Sequence, residues 1–196
     1  MHPVETSLNA FVERSLARWP TLYDPFDADW RSPCETGDPL ETADGSWVVP
    51  WRPRRRAFAD DFAGLERALE CEIHPSVKAY YGAYWSGGLE ATAPDGHVSL
   101  ILLWNPADAD RLVENLIGHA LAKRRARAPF TVFFACTEPE SDLFLAVDNA
   151  SGAVVLERPG DRPLRTVCAS LAEFIDGLAP AQPELHPERA SRPPVR

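Results

Sequence analysis

One long amphipathic segment, NPADADRLVENLIGHALAKRRAR from Asn105 to Arg127, constrains this chain more than any other feature. Asn105 is a helix-capping residue, Pro106 suits the first helical position, and acids occupy the first turn. Basic residues close the segment ahead of Pro129, where cations complement the helix dipole. On either side lie strand-like runs: GGLEATA and VSLILLW before it, then FTVFFAC, LFLAVDN and GAVVLER after it. Three successive strand-like runs favour a meander. The expected fold is therefore α+β or mixed α/β, a single domain with a largely antiparallel sheet and helices packed on it.

The remaining segments fit that plan. Leu8, Phe11, Val12, Leu16 and Trp19 recur at helical spacing over about 4–19. SWVVPW is a short strand candidate stopped by Pro50 and Pro53. DDFAGLERALECEI predicts a helix capped near Asp60 or Asp61, and HPSVKAYYGAYW predicts another with Pro75 in its first turn. Its apolar side would carry Val77, Tyr80, Tyr81 and Tyr84. Asp95-Gly96 between extended runs signals a hairpin, and Asn149 to Gly152 a turn. Ser170 and Glu173 form a capping box for SLAEFIDGL. The expected domain spans 1–180, and the proline-rich polar segment 181–196 is expected to be a mobile tail.

Within the long helix, Gly118 and His119 stand side by side. At about 100° per residue, Leu112, Val113, Leu116, Ile117, Ala120 and Leu121 share one broad face, His119 and Asn115 lie on its rim, and Gly118 points away. A mid-helix glycine costs on the order of 1 kcal/mol against alanine. Close approach of another segment, from the same chain or a partner, would justify it. His119 reads best as a structural histidine bonded to backbone or to Asn115. A cysteine hydrolase built from Cys34, His119 and Asn115 is the catalytic alternative, but no nucleophile elbow or oxyanion loop surrounds Cys34. No metal-ligand spacing and no phosphate- or dinucleotide-binding motif is present, so neither a metal nor a cofactor is expected.

The charge balance points to a binding role. The chain has 196 residues and a formal net charge of −9, which disfavours nucleic acid and favours a basic partner. No apolar run reaches the roughly 18 residues of a membrane span, and the N-terminal stretch lacks signal-peptide features, so a cytosolic location is expected. Cys34, Cys71, Cys136 and Cys168 are widely spaced and read as reduced thiols. Acidic charge concentrates in DPFDADWRSPCETGDPLETAD, which carries Asp24, Asp27, Asp29, Glu35, Asp38, Glu41 and Asp44 against Arg31 alone. This stretch is expected to be extended or looped, and is either simply solvated or steers a cationic partner. The basic cluster Arg52 to Arg56 is a solvated loop or a contact to anionic lipid. Lys123 to Arg127 is read as an ordinary basic helix end.

Several of these stretches together resemble the bacterial Syd family of SecY-interacting proteins, within the SUKH superfamily. The residues that carry the likeness are DADWRSPC at 27–34, ENLIGH at 114–119, VDNASGAVVLE at 147–157 and SLAEFIDGLAP at 170–180. HPSVKAYYGAYWSGGLEA and VSLILLWN also look like the family's central region, and the segment after Pro180 departs from it. The resemblance implies a non-enzymatic protein, peripheral on the cytoplasmic side of the inner membrane. It would recognise basic cytosolic loops of the translocon channel SecY through an acidic concave surface, without nucleic acid. The partner-binding residues expected on this basis are Asp27, Asp29, Glu35, Asp38, Glu41 and Asp44, with Glu90 added; Asn115, Gly118 and His119 are expected to be structural. The alternative within the superfamily is an immunity protein that neutralises a toxin domain.

Overall fold

The computed structural model describes residues 1–58, 62–183 and 185. The elements run α1 (Pro3–Arg18), β1 (Leu22–Pro25), β2 (Leu40–Glu41), β3 (Trp47–Trp51), β4 (Arg54–Arg55), α2 (Ala63–Leu69), α3 (Pro75–Ala83) and β5 (Tyr84–Trp85). There follow β6 (Leu89–Ala93), β7 (Gly96–Leu100), α4 (Pro106–Arg125), β8 (Thr131–Cys136), β9 (Phe144–Asp148), β10 (Val154–Glu157), β11 (Arg165–Cys168), α5 (Leu171–Asp176) and β12 (Ala179–Pro180). No described helix is long and apolar enough to cross a membrane.

A seven-stranded, antiparallel, curled sheet ordered β11-β10-β9-β8-β7-β6-β12 forms the body, and its middle is the expected meander. A three-stranded sheet, β1-β3-β2, stands apart from it, and β4 pairs with β5. The fold is α+β and single-domain, as anticipated. Helices α1, α3 and α5 pack on one side, where Phe11, Tyr80, Tyr81, Phe134 and Phe174 build an aromatic core. Both buried tyrosine hydroxyls donate to sheet carbonyls, Tyr80 to Phe134 and Tyr81 to Phe133, so burial leaves neither unsatisfied.

The structure corrects several boundaries. The helix expected over 60–73 is confined to Ala63–Leu69, and its proposed cap at Asp60 or Asp61 lies outside the described residues. The helix begun at Pro75 stops at Ala83, because Tyr84 turns extended and pairs with Arg55. The run VSLILLW leaves the ladder after Leu100. The two-residue hairpin loop is Pro94–Asp95, since Ala93 pairs with Gly96, whose φ of +135° suits glycine. Strands β11 and β12 lack a strong sequence signal and form because a neighbouring edge is open to them. Of the proline-rich segment, residues 181–183 and 185 are described, and the Ala181 amide donates to the Glu90 carbonyl; the rest lies outside the described residues.

Helix α4 is rotated relative to the face read from its sequence. Leu112, Leu116, Ala120 and Lys123 are buried, while Leu121 is exposed. A Cβ on Gly118 would meet nothing within 4 Å, so no described segment of this chain presses on it and the expected intrachain close packing is absent among the described residues. His119 does not reach Asn115, which is exposed, and finds its partner at Thr131 instead. Its Nε2 lies 3.0 Å from Thr131 Oγ1.

Candidate functional site

The acidic stretch is organised as the small sheet and its connections. In an antiparallel pair, facing residues share a side. Leu22 faces Trp51, Asp24 faces Val49 and Glu41 faces Trp47, so these six residues line one face of the sheet. Leu22, Val49 and Trp51 enter the core, whereas Trp47 remains 50% exposed at the outer end. The deep end of this face meets β6 and α1 across a cleft of about 240 Å³. Ser15, Trp19, Asp24, Trp51, Glu90 and Ser99 line it, together with Ala181, Pro183 and Leu185.

Two carboxylates stand in that cleft under different conditions. Glu90 is held: Ser99 Oγ donates to Oε1 at 2.8 Å, and His97 Nε2 lies 2.9 Å from Oε2. The pairing Glu90↔Ser99 and Thr92↔His97 on the β6–β7 hairpin sets this geometry. Asp24 is half-buried, and burial pushes its carboxyl up to about 6. It was read only as one acid among several. The signal that distinguishes it is its place in LYDP, where an apolar residue two positions earlier shares its side of a strand.

The seven expected partner-binding residues separate into three kinds. Asp27, Asp29, Asp38, Glu41 and Asp44 are exposed. Asp27 accepts the Asp29 amide, and Asp44 accepts from Thr42, Ser46 Oγ and the Ser46 amide, which hold its carboxyl down at about 2. Glu35 is internally matched. Burial alone would raise its carboxyl, but Arg31 donates twice and the Ser32 amide once, and these hold it below the usual carboxylate range. Glu90 lies in the cleft rather than with the other six.

The motif DWRSPC acts as a clasp between the small sheet and α4. Trp104 Nε1 donates to the Trp30 carbonyl, Asn105 Nδ2 to the Arg31 carbonyl, and Ser32 Oγ to the Trp104 carbonyl. Arg111 stacks over Trp30 at 4.0 Å. Cys34 is buried beside Ser32, and burial pushes its thiol up to about 11, far from the thiolate a nucleophile needs. The three residues of the hydrolase alternative keep separate company: Cys34 with Ser32, His119 with Thr131, and Asn115 with solvent.

The motifs ENLIGH and VVLE meet beneath α4. Lys123 is 1% exposed and donates to Glu157 Oε2 and to the Asp161 carbonyl, each at 2.6 Å. Thr131 Oγ1 donates to Glu157 Oε1 at 2.6 Å, which commits its proton and leaves it to accept from a neutral His119 through Nε2–H. Burial first, then the Lys123 charge, lowers His119 to about 4. Phe133 and Phe144 pack edge-on around the ring. The reading of Lys123 as part of an ordinary basic helix end is thus corrected; it lies between Leu112 and Leu116 on the helical wheel, only about 20° from each.

The DNASG turn is equally structural. Asp148 accepts the amides of Ala150 and Ser151, and Asn149 ties the turn to the start of α3 by accepting the His74 amide and donating to the Glu72 carbonyl. Gly152 is required there: its φ is +77°, and a Cβ would lie 2.5 Å from the His74 ring.

Residues 5–180 match the family model described as Syd protein (SUKH-2). The chain is 41% identical over 155 residues to Protein Syd of Pseudoalteromonas atlantica, covering 79% of this chain and 82% of that one. It is 42% identical over 180 residues to Protein Syd of Hahella chejuensis, covering 88% and 89%. Protein Syd of Alteromonas mediterranea is 38% identical over 173 residues, covering 88% and 92%.

Proposed function

The chain belongs to the Syd (SUKH-2) family, and from that premise we propose that it is a non-enzymatic protein that binds SecY at the cytoplasmic side of the inner membrane. Its association with the membrane is peripheral and runs through SecY. The carboxylates of the small sheet and cleft recognise basic cytosolic loops, which the positive-inside rule enriches in lysine and arginine. The observation that carries this reading is the cleft holding Asp24 and Glu90, continued along one sheet face to Glu41 and the exposed Trp47. Asp27, Asp29, Asp38 and Asp44 add exposed negative charge nearby in sequence. Glu35 contributes less, because Arg31 already matches it.

Catalysis has little support in the geometry. Among the described residues Cys34 has no base within hydrogen-bond reach, and His119 is committed to Thr131. The test is capture of SecY from detergent-solubilised membranes at low salt by the wild-type chain and by a variant with Asp38, Glu41 and Asp44 changed to lysine. Loss of capture is expected. Undiminished capture by the triple variant defeats the electrostatic mechanism.

A further inference from the structure

The cleft between the small sheet and β6 is small for a ligand site. At about 240 Å³ it falls below the roughly 300 Å³ at which pockets for drug-sized molecules begin. One long side chain fits such a volume. Its walls include Trp19 and Trp51, and its polar groups include Asp24, Glu90, Ser15 and Ser99. We propose that this cleft is a socket for a single arginine or lysine side chain of the bound partner, with Asp24 as the carboxylate that receives it. The inference rests on the reading of the acidic face as a binding surface and specifies which atoms it uses.

Two independent features favour an occupant. Asp24 has no hydrogen-bond or ion-pair partner among the described residues, although it is half-buried in a cleft where a guanidinium or ammonium fits. Trp51, only 3% exposed, lines the same cleft, and its indole Nε1 has no acceptor among the described residues. Buried donors are nearly always satisfied, so this one is a polar group that the free fold leaves unmet beside the cleft. The aromatic walls suit a cation as well.

Occupation changes the protonation of the cleft. Burial holds the free Asp24 carboxyl at about 6, so near neutral pH part of the population carries a proton that a bound cation displaces. The groups that face Asp24 are few. Glu90 on β6 is held by Ser99 and His97 on β7; Cys34 and Glu35 approach from the clasp loop; Tyr23 shares its strand. On α1, Arg18 stacks over Trp19 with its guanidinium donating to the Pro180 carbonyl, at 3.3 Å. His97 lies against Glu90, and its substitution separates its contribution from that of Asp24.

The experiment has two arms with the full chain. In the first, SecY in nanodiscs is titrated at a series of pH values between about 5 and 7. Affinity is expected to rise about tenfold across that range, to be weaker and pH-independent in the isosteric Asp24→Asn, and to keep its slope in His97→Gln. In the second, N-acetylargininamide is titrated against the wild-type chain and Asp24→Asn while the Trp51 indole N–H is followed by NMR. A shift of that resonance in the wild type, lost in Asp24→Asn, is expected. SecY binding with the same pH slope in both chains overturns the socket and leaves the proposed function standing. A shift with the arginine probe but no SecY binding upholds the socket and defeats the proposed function. No shift in the wild type overturns the socket outright.

Discussion

At the scale of single residues, Asp24 and His119 are both titrated away from their ordinary values by burial, with opposite consequences for stability. The folded Asp24 carboxyl stands near 6 against an ordinary 3.8, so between those values the native state binds more protons than the unfolded chain. Stability therefore falls as pH rises through that window, and the penalty is complete above it. Asp24→Asn should thus raise stability at pH 7 by about 1–2 kcal/mol, after discounting for partial exposure, and the gain should vanish below about pH 4. His119 behaves inversely: near 4 when folded against an ordinary 6.5, it stays neutral while the unfolded chain takes up protons. Its contribution is complete above pH 6.5 and is lost as pH falls toward 4, so His119→Gln should flatten that part of the profile. Urea denaturation of both variants across pH separates two slopes that partly cancel in the parent chain. A site that stabilises the free protein when neutralised and loses its ligand in the same step bears the mark of function rather than packing.

At the scale of elements, α4 shows why part of the design was legible in the sequence and part was not. Its start was readable because Asn105 and Pro106 act locally, and Asn105 Oδ1 does accept the Asp108 amide at 2.9 Å. The meander was readable because apolar runs and turn residues lie in sequence order. Its buried ion pair was hidden, because Lys123 finds Glu157 across 34 positions and no local pattern reports a partner that distant. The same holds for Glu90 and Asp24, which come from separate sheets and meet only in the folded cleft. Breaking the pair by Lys123→Met should cost about 3–5 kcal/mol, since it strands a carboxylate with zero exposure; changing Glu157 to leucine as well should recover much of the loss. Gly118 gives the opposite expectation. With open space where its Cβ would go, Gly118→Ala should stabilise α4 by about 0.5–1 kcal/mol in thermal unfolding. If that gain is accompanied by weaker SecY capture, a partner approaches this face; unchanged capture leaves the glycine a tolerated cost.

At the scale of the whole molecule, the carboxylates form two populations that ionic strength should tell apart. Asp38, Glu41 and Asp44 are exposed, and the attraction proposed between them and a basic loop would act through water, where screening takes hold over about 8 Å at physiological salt. Asp24 and Glu90 sit in a cleft partly closed by Trp19, Trp51 and Leu89, where solvent screens less. Exposed charges of this kind govern encounter, and enclosed pairs govern residence. The clasp of Trp30, Arg31 and Ser32 onto Trp104 and Asn105 fixes the small sheet to α4. Kinetics of SecY binding in nanodiscs should then divide cleanly. Charge reversal at Asp38, Glu41 and Asp44 should slow association, flatten its dependence on salt, and leave dissociation nearly unchanged. Asp24→Asn should speed dissociation by about tenfold, the worth of roughly 1.4 kcal/mol, at every salt concentration, while association stays within a factor of about two. Should both variants alter only the association rate, the cleft is merely part of the field and Asp24 contacts nothing; the division into a steering surface and a holding site would then be wrong.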